Sequence, residues 1–357
     1  MFKTLWKKKA IVAFLVILVV TLPVAIKKPA QMLGKTLFTT VGIDMVEGKY
    51  QVTGEVIVNM FNEFGAKFLE VVQDESDSIN QALNKISKTR GRTVSLAHCS
   101  LIVLGSGLQE ENIASVLTFL LHRTEVNNNS QLLFTDADMQ ELFTISKESA
   151  DNRTNHLQQI ATFNIKNQFG TQATLQNFYR DYLSKSKTST IPVVTIQDEQ
   201  IHNAGELAVF VSGKYKITID DKQSSSLKFL ENRMTRHQVT IPNTATVEIQ
   251  SNRSRIRTRI IDGIPTIKIK VSTRIRIVDI DGTDYLDMKS TDVPADEIAL
   301  SFSSMLDNNL KETLTELSKN DMDILQISDR FWQFHRTDNI NLSDVVFEID
   351  CNARVVN

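Results

Sequence analysis

The chain offers little sulfur or imidazole chemistry. Only two of its 357 residues are cysteines, Cys99 and Cys351. They stand far apart and in no metal-ligand spacing, which excludes a thiolate cluster. Two free, buried thiols are expected, with a disulfide left open if the region faces an oxidising space. The histidines are His98, His122, His156, His202, His237 and His335. No two of them stand four apart beside a glutamate, the spacing that would aim two rings of one helix at a zinc ion. His98 lies in an apolar run beside Cys99 and reads as a core histidine. Glycine motifs are missing too. There is no P-loop and no G-x-G-x-x-G, and LGSGL (104–108) has only one residue between its glycines, so it is no nucleophile elbow. DIDGTDYLD (279–287) has part of a calcium loop, but Gly282 is fourth rather than sixth and the late glutamate is absent. A solvated turn is the plainer reading. No catalytic residue, cofactor or metal is therefore expected, and an enzyme is the least favoured class.

An excess of basic charge is also missing. Lysine and arginine number 40 against 42 acids, for a net charge of −2. That weighs against a chain built to hold nucleic acid. Apolar content of 41% and charged content of 23% are ordinary for globular domains, and the length suggests two or three of them. Runs that are both long and almost wholly apolar are absent except at one place. MFKTLWKKK leads into AIVAFLVILVVTLPVAI, which ends at Lys27 and Lys28. As a helix, Ala10 to Ile26 would span about 25 Å, slightly under a bilayer core of ~30 Å, and flanking lysines can snorkel. A cleaved signal peptide has similar length, but no A-x-A site and no cysteine follows. An uncleaved signal anchor is the preferred reading. Lys3, Lys7, Lys8 and Lys9 then hold the N-terminus in the cytoplasm and put the chain from about Lys27 onward outside.

What is conspicuously present is RSRIRTRIIDGIPTIKIKVSTRIRI, from Arg253 to Ile277. Alternation with period two marks a strand with one wet face. Arg253, Arg255, Arg257 and Arg259 share one face of the first arm. Lys268, Lys270, Arg274 and Arg276 share one face of the second, and Asp262-Gly263 turns between them. Like charges facing across strands repel, so water, acidic residues, a lipid surface or an acidic partner must offset them. Acids are plentiful just downstream, from Asp279 to Glu297. Nucleic acid is disfavoured, because no aromatic interleaves the basic residues.

Elsewhere strand and helix periods mix without regular βαβ alternation. This predicts an α+β fold with helices on mostly antiparallel sheets. Phe38 to Val58 reads as a strand pair turning at Glu47-Gly48. Asp74 to Arg90 reads as one helix, capped by Asp77 or Ser78. TVSLAHCSLIVLG (93–105) reads as one buried strand, and Ala295 to Lys319 as the longest helix, with Ile298, Leu306, Leu310, Leu314 and Leu317 inward. GELAVFVSGKYKITID (205–220) reads as a hairpin opening a second region, and DVVFEIDCNARVV (344–356) as the closing strand. Phe331 and Trp332 read as plugs of the second core. The expected organisation is a cytoplasmic tip and anchor over 1–28 and an N-terminal α+β region over 29–198. That region is either whole or has a second subdomain at about 137–198. A C-terminal α+β domain over 199–357 follows, with long antiparallel strands and a long helix.

Five segments in order resemble one family. They are TTVGIDMVEGKYQVTGEVI (39–57), INQALNKISKTRGRTVSLAHCSLIVLG (79–105), VLTFLLHRTEVNNNSQLLFTDADMQELF (116–143), GELAVFVSGKYKITIDDKQSSSLKFLENRM (205–234) and NDMDILQISDRFWQFHR (320–336). Together they resemble the Ger(x)C family, the C subunits of nutrient germinant receptors of bacterial endospores. The matched residues Gly42, Asp44, Gly91, Arg92, His98, Arg123, Asp323 and Trp332 read as structural. The resemblance implies a non-enzymatic, multi-domain α+β protein on the outer face of the spore inner membrane. It also implies integral membrane partners, the A and B type receptor subunits, one of them transporter-like. Members usually carry a lipobox cysteine; this chain has none after its apolar run, so either its own helix anchors it or the mature protein is not anchored. The alternative from another class is an extracytoplasmic solute-binding protein serving a transporter-like partner, which needs a pocket between the two regions near 191–205.

Overall fold

The computed structural model describes residues 34–59, 68–149, 156–166, 173–232, 234–280, 295–338 and 340–356. The proposed anchor, and the calcium-like loop beyond Ile280, lie outside them. Among the described residues no helix is long and apolar enough to cross a membrane.

The first sheet is built from β1 (Lys35–Val46), β2 (Lys49–Asn59), β3 (Phe68–Ser76), β4 (Thr93–Ser95), β5 (Leu101–Gly105), β6 (Gln131–Thr135), β7 (Thr188–Gln197), β8 (Gln200–His202), β9 (Leu207–Val211) and β10 (Lys214–Ile219). Its order is β10-β9-β7-β6-β5-β1-β2-β3, with β4 on β1 and β8 on β7. The middle four strands, β7, β6, β5 and β1, run parallel, and the flanks are antiparallel. The sheets are thus mixed, with more parallel pairing in the centre than the sequence suggested. A parallel centre needs cover on both faces. Side chains of β5 alternate accordingly. Ile102 and Leu104 join one core with α1 (Ile79–Arg90), α2 (Ile113–His122) and α5 (Leu175–Leu183). Leu101 and Val103 join another with α3 (Met139–Glu148) and α4 (His156–Lys166).

Two local expectations need correction. The helix α1 starts at Ile79, capped by the Ser78 side chain, rather than near Asp74. Residues before it pair with β2 as β3, and that ladder outweighs local helix propensity. The run 93–105 is not one strand. It breaks after Ser95, Cys99 N–H donates to the Leu96 carbonyl at 3.0 Å, and the chain resumes as β5. His98 sits exposed in that turn rather than in the core.

The second sheet has the order β11-β12-β13-β14, from β11 (Gln238–Ile241), β12 (Ala245–Ile261), β13 (Ile264–Ile280) and β14 (Val346–Val355). The β12–β13 pair is antiparallel, and β14 lies parallel to β13. One face of this sheet packs on α7 (Ala295–Lys319), which buries Ile298, Phe302, Leu306, Leu310 and Leu314. The sheet and α7 also enclose residues of α6 (Asp221–Leu230) and α8 (Ile327–His335).

The hairpin β9–β10 also joins the first sheet, because β9 bonds to β7. The side chains of β9 divide between cores: Ala208 and Phe210 go to the first, Leu207 and Val209 to the second. Strand β9 is therefore the seam of the molecule.

Candidate interaction face

The basic residues fall on one wet face of β12 and β13, in a register that sets like charge against like. Arg255 lies opposite Lys270, and Arg257 opposite Lys268. Most of the acidic run after Asp279 lies outside the described residues. Among the described residues, two compensating acids come from β14, whose parallel register brings Glu348 beside Lys268 and Asp350 beside Lys270. The ion pairs measure 3.3 Å for Lys268–Glu348 and 2.9 Å for Lys270–Asp350. Arg276 pairs with Glu248 of β12 at 2.5 Å. Arg253, Arg255, Arg257, Arg259 and Arg274 make no ion pair among the described residues. Among the described residues the face is thus neutralised at Lys268, Lys270 and Arg276 of β13, and left cationic at Arg274 and along β12.

Toward the hairpin tip the same face turns apolar. Ile261 pairs with Ile264 across the turn, and Val346 lies beside Thr266 in the next rung. These three side chains are 41%, 49% and 48% exposed. The turn is tight because both of its residues adopt positive φ, 50° at Asp262 and 81° at Gly263. The sequence pattern had shown these positions only as the end of an alternation.

On the opposite face α8 braces β12 at Thr258, short of the tip, where Ile260 is 46% exposed. His335 Nε2 lies 3.0 Å from Thr258 Oγ1, and Phe331 is fully buried behind it. Trp332 does not plug the core as expected. It is 41% exposed, with the Lys185 ammonium 5.0 Å and the Arg336 guanidinium 5.1 Å from its ring centre. The helix is latched to the first sheet. Asp329 accepts from the backbone N–H of Lys185 and Ser186 at 3.0 and 2.9 Å. Asp323 accepts from Ile327 N–H at 2.5 Å and Ser328 N–H at 2.8 Å, and its own N–H donates to Thr188 Oγ1 at 3.1 Å. Burial pushes the Asp323 carboxyl above its usual range, against the pull of those N–H groups.

The other family-pattern positions are spread through the first region. A Cβ on Gly42 would meet Met139 Sδ at 2.5 Å, so the glycine lets α3 approach β1. Asp44 Oδ1 accepts from Gly107 N–H at 2.9 Å and Met45 N–H at 2.8 Å, pinning the turn after β5. Gly91 ends α1 in the left-handed region at φ 63°. Arg123 holds Glu125 at 2.8 Å, and Glu125 also accepts from Ser95. Arg92 is exposed, and nothing in the structure explains it.

One buried group was not foreseen. Glu55 of β2 is fully buried; its Oε1 accepts from Ser146 Oγ at 2.8 Å, while Oε2 has no partner among the described residues. Burial pushes its carboxyl up to about 7, only partly offset by Ser146. The faint signal was an acid in the apolar alternation VTGEVIV. The thiols are free; Cys99 is buried and Cys351 half-buried, and burial pushes both up to about 12. Among the described residues no cluster of His, Cys, Asp or Glu could hold a metal ion. A groove of about 400 Å³ lies at the junction of the regions, lined by residues including Lys185, Lys187, Ser212, Asp321 and Asp338 rather than by 191–205.

Residues 35–196 match the family described as spore germination protein N-terminal domain, and residues 205–357 match spore germination B3/GerAC like, C-terminal. The two matches lie in tandem, in the order the five segments suggested. Among solved structures, the crystal structure of the GerBC protein is similar at 15% identity and a TM-score of 0.57, covering 89% of this chain and 97% of that one. At that identity the likeness speaks for the fold. No curated protein matches the chain.

Proposed function

The chain belongs to the Ger(x)C family of spore germination proteins, and on that premise we propose that it is a non-enzymatic, membrane-attached subunit of a germinant-receptor complex. It works by contact with integral membrane subunits of the A and B type. The observation that carries this reading is the tandem match across both regions, 35–196 and 205–357. The local geometry supports it, because matched polar residues such as Asp44 and Asp323 spend their oxygens on backbone N–H groups. The attachment is the apolar run Ala10 to Ile26, a single-pass signal anchor with its N-terminus in the cytoplasm and the bulk of the chain on the outer face. The domain division follows the family boundaries, with β9 shared.

Gentle detergent purification of the tagged full-length chain from its host membranes tests this. A multispanning transporter-like protein and a second membrane subunit should co-purify and be identified by mass spectrometry. A chain recovered alone from the soluble fraction would overturn it. The solute-binding reading is favoured by one observation, the groove of about 400 Å³ between the regions. Calorimetry of the full chain against amino acids and sugars should show heat if that reading is right, and none if it is wrong.

A further inference from the structure

The arginines of β12 have a plain explanation that goes only halfway. Beyond the short β11, the outer edge of β12 has no strand partner among the described residues, and charge on an open edge deters strand addition. A guarded edge accounts for Arg253 to Arg259. It does not account for Ile261, Ile264 and Val346, which lie exposed together on the same face a few ångströms further along. Three exposed aliphatic side chains on one face cost solubility, and among the described residues nothing covers them.

From this juxtaposition we infer that the tip of the β12–β13 hairpin is a membrane contact. Ile261, Ile264 and Val346 enter the headgroup–acyl boundary of an anionic bilayer, and Arg255, Arg257 and Arg259 bind lipid phosphates beside them. The inference rests on the membrane-attached reading above.

The geometry suits this occupant in three ways. First, the three arginines recur every second residue on an extended strand, about 7 Å apart, so each can reach a separate headgroup. A guanidinium binds phosphate through two parallel N–H bonds. Second, the charge is local. The whole chain is slightly acidic at −2, yet Glu348 and Asp350 on this face are already held by Lys268 and Lys270. The remaining cations of β12 are thus available to an anionic surface. Third, the tip is on the tethered side. From Ile26 to Lys35 the chain can reach at most about 30 Å even fully extended, so β1 starts near the bilayer. The parallel register places the start of β1 and the start of β7 at one edge of the first sheet. Helix α8 is latched to that edge through Asp329 and Asp323, and its last turn holds Thr258 of the hairpin. Asp262 at the apex keeps the approach side-on, through the Ile261–Ile264 face, with its own carboxylate at headgroup level.

The test uses the full-length chain reconstituted into vesicles of phosphatidylcholine alone or mixed with phosphatidylglycerol. An environment-sensitive fluorophore is placed at Ile264→Cys in a Cys351→Ser background, Cys99 being buried. A second label at Glu110→Cys marks the opposite edge of the first sheet. Nitroxide lipids should quench the Ile264 label in the anionic vesicles and leave the Glu110 label bright. Replacing Arg255, Arg257 and Arg259 with glutamine should cut the inserted population about tenfold or more. An unquenched tip on chain that floats with anionic vesicles overturns the inference while leaving the receptor reading intact. A tip that is silent with lipid but shielded in the co-purified complex assigns the face to protein, and also overturns it. Chain that fails to float with either vesicle overturns the anchor and the inference together.

Discussion

Glu55 shows how one misplaced charge couples stability to pH. Its carboxyl is buried against Ser146 and pushed up from an ordinary 4.5 to about 7. The folded chain therefore keeps a proton that the unfolded chain releases. Its contribution is fully present below about pH 4.5 and is lost as pH rises through about 7. Glu55→Gln should remove this dependence and raise stability at pH 8 by up to roughly 3 kcal/mol. Urea unfolding of both proteins at pH 5 and pH 8 reads it directly; equal midpoint shifts at the two pH values would refute the assignment. Gly54 is constrained from the other direction. A Cβ there would fall 1.6 Å from Phe38 Cε1, inside a side chain that is itself fully buried. Gly54→Ala should cost about 1–3 kcal/mol through overpacking, visible as a lower urea midpoint with an unchanged slope.

Among the elements, α8 bears most on the candidate face, because it joins the hairpin to the first sheet. Its hold depends on Asp329, whose two oxygens take the N–H groups of Lys185 and Ser186. Asp329→Ala leaves both donors without that partner and should cost about 1–3 kcal/mol. Amide exchange should speed up in residues 327–335 and 184–188 first, while β5 stays protected. Exchange that rises uniformly across the chain would mean α8 is no separate latch. By contrast, Asp350→Asn should change stability by less than about 1 kcal/mol, because its pair with Lys270 is exposed and screened. It would still add positive charge to the face. Its effect belongs in vesicle binding, which should strengthen, rather than in the urea midpoint.

At the scale of the whole molecule, the seam decides cooperativity. Leu207 and Val209 serve the second core while Ala208 and Phe210 serve the first, on a strand bonded to β7. The two regions should therefore unfold in one transition, and chains divided between 198 and 199 should not fold as separate halves. Two well-separated calorimetric transitions would show that β9 couples them only weakly. The sequence by itself determined the elements with strong periodicity. The long helix Ala295–Lys319, the turn at Asp262-Gly263 and the one-sided basic hairpin follow from spacing alone, because a period of two or of 3.6 sets which side chains share a face. Those patterns are silent about which distant strand lies alongside. Only the tertiary structure decided that acids of β14 pair with Lys268 and Lys270 of β13, that Phe68–Ser76 forms a strand, that His98 and Trp332 face outward, and that β9 bonds to β7 in the first sheet. Each of these depends on pairing between segments far apart in the chain, where hydrogen bonding and burial across the fold outweigh local preference.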